Sequence, residues 1–225
     1  RKRLIGDYVA GLPGGPPRDG GFAAFAAAVG AVPALAEVRR RLDVTEVDEA
    51  DLAAVLADAY RHAAGYTVVG WTGATPEEYL ADVAYLDGRM SIDSPMGDLA
   101  WEPEKVDADR IRASDEVQLR WGRVYHTTVA VHVATGQVVA WSGLSFEDGV
   151  PWHAWQQNTI VEERHRGHRL GTIVKIENLR RARAAEPGLR FIDTLNAAEN
   201  THMIAINEAL GFRPVDAWHD WQQDL

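Results

Sequence analysis

Residues 164–175 read RHRGHRLGTIVK: three arginines and two histidines set around two glycines, running straight into an apolar, helix-periodic stretch. This concentration of positive charge stands in a chain whose net charge is −10. The preceding residues, 154–161 (AWQQNTIV), predict a strand, and those from Leu170 predict a helix ending before Pro187-Gly188. A helix start leaves its first backbone N–H groups without partners and carries about half a positive charge, so it attracts anions. Gly167 and Gly171 have no Cβ to keep a ligand away from the backbone. Arg164, Arg166 and Arg169 offer charge-assisted contacts to phosphate oxygens. The charge is therefore best explained by a phosphate-bearing cofactor.

Composition narrows the setting. With 225 residues, 46% of them apolar and 25% charged, the chain fits one large or two small globular domains. The absence of cysteine excludes a disulfide scaffold, a thiolate metal site and a cysteine nucleophile. No apolar run is long enough for a membrane span, and the acidic balance argues against nucleic acid and for a cationic partner. A cytoplasmic location is expected. His165 and His168 have metal-like spacing, but no acidic third ligand accompanies them and no metal is expected.

Before the basic stretch, YTVVGW (66–71) predicts a strand, and 75–90 and about 106–121 predict helices, the first with Thr75 as cap and Pro76 at its first position. Residues 123–133 and 137–146 predict a hairpin across a tight turn. After the 170–185 helix come a strand (190–195), a helix (199–210) and a last strand (213–222). The expected fold is α/β in the α+β sense, a mixed and mostly antiparallel sheet flanked by helices.

In this order of elements the chain resembles the GNAT acetyltransferase superfamily over about residues 65–225. Two stretches carry the resemblance. Arg166-Gly167-His168-Arg169-Leu170-Gly171 matches the family's Arg/Gln-x-x-Gly-x-Gly/Ala loop, with Arg169 where the family has its first glycine. NTHMIAINEALGF (200–212) matches its second, asparagine-led signature. The resemblance implies acetyl-CoA as cofactor, bound by the loop residues and Thr172, by Asn196 and Asn200, and by backbone N–H groups near Ile160 and Val161 that polarise the thioester carbonyl. It implies an acyltransferase of the acyl-CoA N-acyltransferase fold, in which a primary amine of a small molecule attacks the acetyl group directly.

The tyrosine that many members use toward the leaving thiolate is replaced by Asn207, and no tyrosine follows Tyr125. Its work falls to Asn207, to His202, to a water or to no specific group. Asn158 and Glu162 are the further catalytic candidates, and Glu147, Asp148 and His153 are other possible bases near strand ends. Trp141, Trp152 and Trp155 either wall an acceptor pocket or pack in the core. A catalytically silent CoA-binding module, or a structural remnant, is the alternative reading.

An internal repeat completes the reading. At an offset of 181, FAAFAAAVGAVP (22–33) lies on MIAINEALGFRP (203–214), matching Gly30 to Gly211 and Pro33 to Pro214. Leu4 and Ile5 correspond to Phe191 and Ile192, with a longer loop between strand and helix in the first copy. Residues 1–45 then read as the C-terminal remnant of a first GNAT-like domain, 46–64 as a linking helix capped by Thr45 or Asp48, and 65–225 as the acetyltransferase domain. The remnant is too small for its own core and is expected to pack on the second domain, or on a second copy in a homodimer.

Overall fold

Where β-branched and aromatic residues alternate, the chain is extended, and where apolar residues recur every third or fourth position, it is helical. A computed structural model describes residues 3–12, 20–102 and 105–224. Most of the expected loop between Gly11 and Gly20, residues 13–19, lies outside them. The strands are β1 (Arg3–Ala10), β2 (Val32–Asp43), β3 (Tyr66–Thr72), β4 (Val124–His132), β5 (Val138–Phe146), β6 (His153–Val161), β7 (Phe191–Ala197) and β8 (Arg213–Asp224). The helices are α1 (Gly21–Ala28), α2 (Glu49–Tyr60), α3 (Leu80–Asp93), α4 (Ala108–Arg120), α5 (Leu170–Ala185) and α6 (Thr201–Ala209). Every registered strand pair except β6 with β7 is antiparallel, so the sheet is mixed and mostly antiparallel as expected.

Two compact units divide the chain: Arg1–Leu42 with Asp93–Glu102 and Thr194–Leu225, and Asp43–Ile92 with Pro103–Asp193. Strand β7 contributes to both, its first three residues to the second unit and the rest to the first. The grouping does not follow the boundaries read from the sequence, because β8 takes β1 on one side and β2 on the other. Pairing partners so distant in the chain leave no local pattern.

In the first unit the strand order is β1-β8-β2-β7. The β2 and β8 register carries the repeat's symmetry. The pair Val32↔Gln222 maps under the 181-residue offset onto the pair Arg41↔Arg213, and Glu37 pairs directly with its own equivalent, Trp218. The register shifts once beside Ala34 on β2 and once beside Val215 on β8, and these bulged residues are also equivalent. Ahead of each strand a helix ends at a glycine with positive φ, Gly30 at 82° and Gly211 at 97°. A left-handed residue closes a helix C-terminus cheaply only when it lacks a Cβ.

The second unit orders its strands β7-β6-β5-β4-β3. Helix α5 packs on β4, β5 and β6 and against α2. Its buried Asn178 accepts from Thr128 Oγ1 (3.0 Å) and donates to His126 O (2.8 Å), tying it to β4. Leu86 of α3, with Met90 against it, forms a core with Val129, Val138 and Ile160. Of the expected caps, Asp48 is found in place and Thr75 is not. Asp48 caps α2 by accepting from Ala50 N (2.7 Å) and Asp51 N (3.3 Å), whereas Thr45 lies in the short turn before it. Thr75 caps nothing: its N–H donates to Asp115 (2.8 Å), and a 3-10 turn at Glu77–Tyr79 precedes α3.

Candidate cofactor and acyl-transfer site

Strand β6 leads into the basic turn, and its irregularities are the first feature of the site. Ser142 pairs with Thr159 and Leu144 with Gln156, so Gly143 alone faces both Gln157 and Asn158. This β-bulge turns both side chains to one face. Gln157 Nε2 donates to Ser145 Oγ (2.7 Å), and Asn158 Nδ2 donates to Asp87 Oδ1 of α3 (3.4 Å). The bulge disturbs two carbonyls, and the Gln156 amide answers both, donating to Gly143 O (2.8 Å) and Gln157 O (3.1 Å). The sequence reading missed Gln156. A glutamine beside the position opposite a strand glycine is the signal that marks it.

Among the described residues the register of β6 with β7 runs through His153↔Phe191 and Ala154↔Ile192 and ends at Trp155↔Asp193. From Gln156 onward that edge of β6 has no registered partner. The N–H of Glu162 donates to Val139 O (2.8 Å), and alternation sends the N–H of Ile160 to the same strand, β5. Thr159 and Val161 therefore turn their N–H groups to the open edge. This corrects the expectation for Ile160, whose N–H belongs to the ladder, and adds Thr159.

The turn itself follows. Glu162 accepts from Arg164 N (2.9 Å), Arg166 Nε donates to Val161 O (3.2 Å), and Gly167 has φ 86°. Arg169 has φ 57° and ψ 16° and is the sole non-glycine residue with positive φ among the described residues. It stands where the loop pattern has glycine, so the backbone keeps the glycine conformation although the side chain has changed. α5 begins at Leu170, and the first helical bond is Ile173 N to Arg169 O (3.1 Å). The N–H groups of Leu170, Gly171 and Thr172 precede that bond and have no intrahelical acceptor. The turn has the geometry of an anion cradle.

The histidines of the turn point elsewhere. His168 Nδ1 donates to His62 O (2.9 Å), and its ring lies 5.2 Å from that of Tyr66. Tyr66 Oη meets His165 Nδ1 at 2.9 Å. Desolvation, with the nearby His132, His168 and Arg164, holds the His165 imidazole below its ordinary pKa, against the opposing pull of Glu162. His168, which the motif places among the cofactor contacts, thus has its Nδ1 engaged within the protein. Among the described residues no group of three or more His, Cys, Asp or Glu side chains is placed to hold a metal ion.

The other candidates fall into place by element. Glu162 caps the turn through its side chain, which accepts from Arg164 N. Glu147 pairs with Arg123 (3.1 Å). His153 Nε2 lies 3.1 Å from the buried Asp193 carboxylate, with Trp155 edge-on to its ring at 5.4 Å. Trp141 packs against the Leu86 core, and Trp152 is half exposed. In the first unit Asn200 caps α6 by accepting from Met203 N (3.2 Å). Asn207 is fully buried and donates to Asn196 Oδ1 (2.8 Å), while its own Oδ1 has no hydrogen-bond partner among the described residues. The buried Asn207 side chain is thus set behind Asn196.

A bulged strand with a freed edge, leading into a left-handed turn and a helix N-terminus, defines the acyl-CoA N-acyltransferase fold. No protein-family model and no curated protein matches the chain. Solved structures do. A tandem GNAT protein from the clavulanic acid biosynthesis pathway is 35% identical with a TM-score of 0.79, over 100% of this chain and 64% of that one. A GCN5-related N-acetyltransferase from Sphaerobacter thermophilus shares the fold at 10% identity and TM-score 0.62, over 99% of this chain and 60% of that one. The yncA protein of Salmonella typhimurium, whose structure includes its cofactor acetyl-CoA, does so at 18% and 0.50, over 72% and 94%. The chain belongs to the GNAT superfamily, and it spans just under two thirds of the tandem protein's length. Among the described residues no helix is long and apolar enough to cross a membrane.

Proposed function

We propose that this protein is an N-acetyltransferase that uses acetyl-CoA and transfers the acetyl group to a primary amine of a small molecule. The observation that carries the reading is Arg169 in the left-handed conformation at the mouth of α5. A strained non-glycine residue persists where function requires the geometry. In this reading the N–H groups of Leu170, Gly171 and Thr172 and the side chains of Arg164, Arg166 and Arg169 hold the pyrophosphate. Acetyl-CoA supplies an activated acyl group on a thiol leaving group. The open-edge N–H groups of Thr159 and Val161 hold the pantetheine arm and polarise the carbonyl.

The acceptor must lose a proton before attack. The bulge presents Asn158 and Gln157 as orienting amides, neither of which is a base, so a water between them and solvent takes the proton. Asn207 keeps Asn196 in place. The acidic balance of the chain favours a cationic amine, and residues 1–45 are read as a second copy of the strand-helix-strand unit that ends a GNAT-like domain, supported by the β2 and β8 symmetry.

The buried Asn207 in place of a phenol favours one rival, a CoA-binding module without turnover. The test is release of CoA thiol from acetyl-CoA in the presence of a panel of small primary amines. Amine-dependent release that Gly171→Leu reduces at least tenfold supports the transferase. Tight binding with no release across the panel supports the rival, and no binding rejects both.

A further inference from the structure

Arg169 holds a backbone conformation that an L side chain resists, so the residues around it must over-determine the turn. Gly167, two residues earlier, is itself left-handed at φ 86°, and a Cβ built there would meet nothing within 4 Å, so no packing against Gly167 holds the turn. The fixing contacts come from side chains. His165 and His168, on either side of Gly167, both turn to Tyr66, the first residue of β3, which lies four strands away from β7 in the second unit. The Tyr66 hydroxyl meets His165 Nδ1 at 2.9 Å, its ring lies 5.7 Å from that of His165 and 5.2 Å from that of His168, and His132 packs on both Tyr66 (5.4 Å) and His165 (5.0 Å). His168 Nδ1 is fixed in turn to His62 O, just beyond α2 (2.9 Å).

The proton placement is consistent. His62 O only accepts, so His168 carries its proton on Nδ1. Glu162 Oε2 lies 3.9 Å from His165 Nε2, which favours the proton there and leaves Nδ1 to accept from the tyrosine. One hydroxyl and one carbonyl thus hold the residues on both sides of the left-handed Gly167.

We infer that Tyr66 is a positioning residue for the cofactor: through His165 and His168 it clamps the 164–169 turn so that Arg169 stays left-handed and the N–H groups of Leu170, Gly171 and Thr172 converge on the pyrophosphate. This rests on the cofactor reading above and assigns the two histidines to scaffolding rather than to phosphate. The clamp replaces the freedom that a glycine at position 169 would supply.

Coenzyme A is titrated by calorimetry into the wild-type chain and into Tyr66→Phe, His165→Phe and the double variant, with thermal unfolding recorded for each. Each single variant raises the dissociation constant at least fivefold while remaining folded, and the double variant rises no further than the worse single one, because all three lack the same bond. His168→Leu weakens binding as strongly, and His168→Gln, whose amide can still donate to His62 O, recovers it to within twofold of wild type. The His168 pair decides the matter if the tyrosine variants do not fold. Folded variants that bind coenzyme A within twofold of wild type overturn the clamp and leave the cofactor reading standing. A wild-type chain that does not bind coenzyme A overturns both.

Discussion

Glu37 and Trp218 occupy the same position in two copies of one repeat, and they face each other across β2 and β8. A local two-fold axis runs through that pair, and it also exchanges the bulges at Ala34 and Val215 and the helix-ending glycines Gly30 and Gly211. The N-terminal copy carries the buried Ala26 where the other has Asn207. The polar pair Asn196 and Asn207 thus has no counterpart of Asn207 in the first copy.

The two glycines share a conformation but not surroundings, which separates their energies. An alanine at either costs about 1–2 kcal/mol for the left-handed backbone. At Gly30 the new Cβ meets nothing within 4 Å, whereas at Gly211 it meets Leu42 Cδ1 at 3.1 Å. Gly211→Ala is therefore expected to lower the denaturation free energy more than Gly30→Ala, as urea unfolding of both variants will show. Equal losses would mean that Leu42 yields freely.

Replacing Arg169 by glycine sets stability against affinity. The left-handed strain is removed, worth about 1 kcal/mol, and a charge-assisted contact to phosphate is lost. The variant is expected to melt higher and to bind CoA at least fivefold more weakly. A higher melting temperature with unchanged affinity would take the guanidinium out of the site.

Asn178 bridges α5 and β4 in a fully buried position. Asn178→Ala strands the Thr128 hydroxyl away from water and takes a donor from the His126 carbonyl, and is expected to cost about 2 kcal/mol. Guanidinium unfolding measures it. A loss under half a kcal/mol, on the order of a surface substitution, would show that α5 does not depend on the bridge.

The turn should also sense acid. His165 faces Tyr66 from β3, His132 from β4, and Glu162, Arg164 and His168 from its own loop. Its folded pKa lies below the ordinary value near 6.5, so the unfolded chain takes up the proton first. Its contribution to stability is present above about pH 6.5 and is lost as pH falls through the folded value. Melting temperature is expected to drop between pH 7 and pH 5, and less steeply in His165→Gln. Parallel profiles would place the acid sensitivity elsewhere.

Much of this was legible in the residues. β-branched alternation marked β3 through β6, and the Gly30 and Gly211 match marked equivalent helix ends. The loop pattern marked the turn, with Arg169 in a glycine place, though not the left-handed angle it keeps there. What was not legible depends on partners far away in the chain. Nothing near His165 announces Tyr66, 99 residues earlier, and a lone Gly143 does not reveal that β6 spends two residues opposite it. The polarity of Asn207 suggested chemistry, whereas its burial behind Asn196 is a property of packing. The grouping of residues 194–225 with the N-terminal strands follows from β8 being flanked on both sides, a fact of topology and not of pattern.

The central claim is that the 164–175 turn holds the pyrophosphate of acetyl-CoA. Isothermal titration of acetyl-CoA into the purified chain tests it most directly. The account predicts one site per chain with a dissociation constant in the micromolar range, about −8 kcal/mol. No saturable heat up to millimolar acetyl-CoA would contradict it.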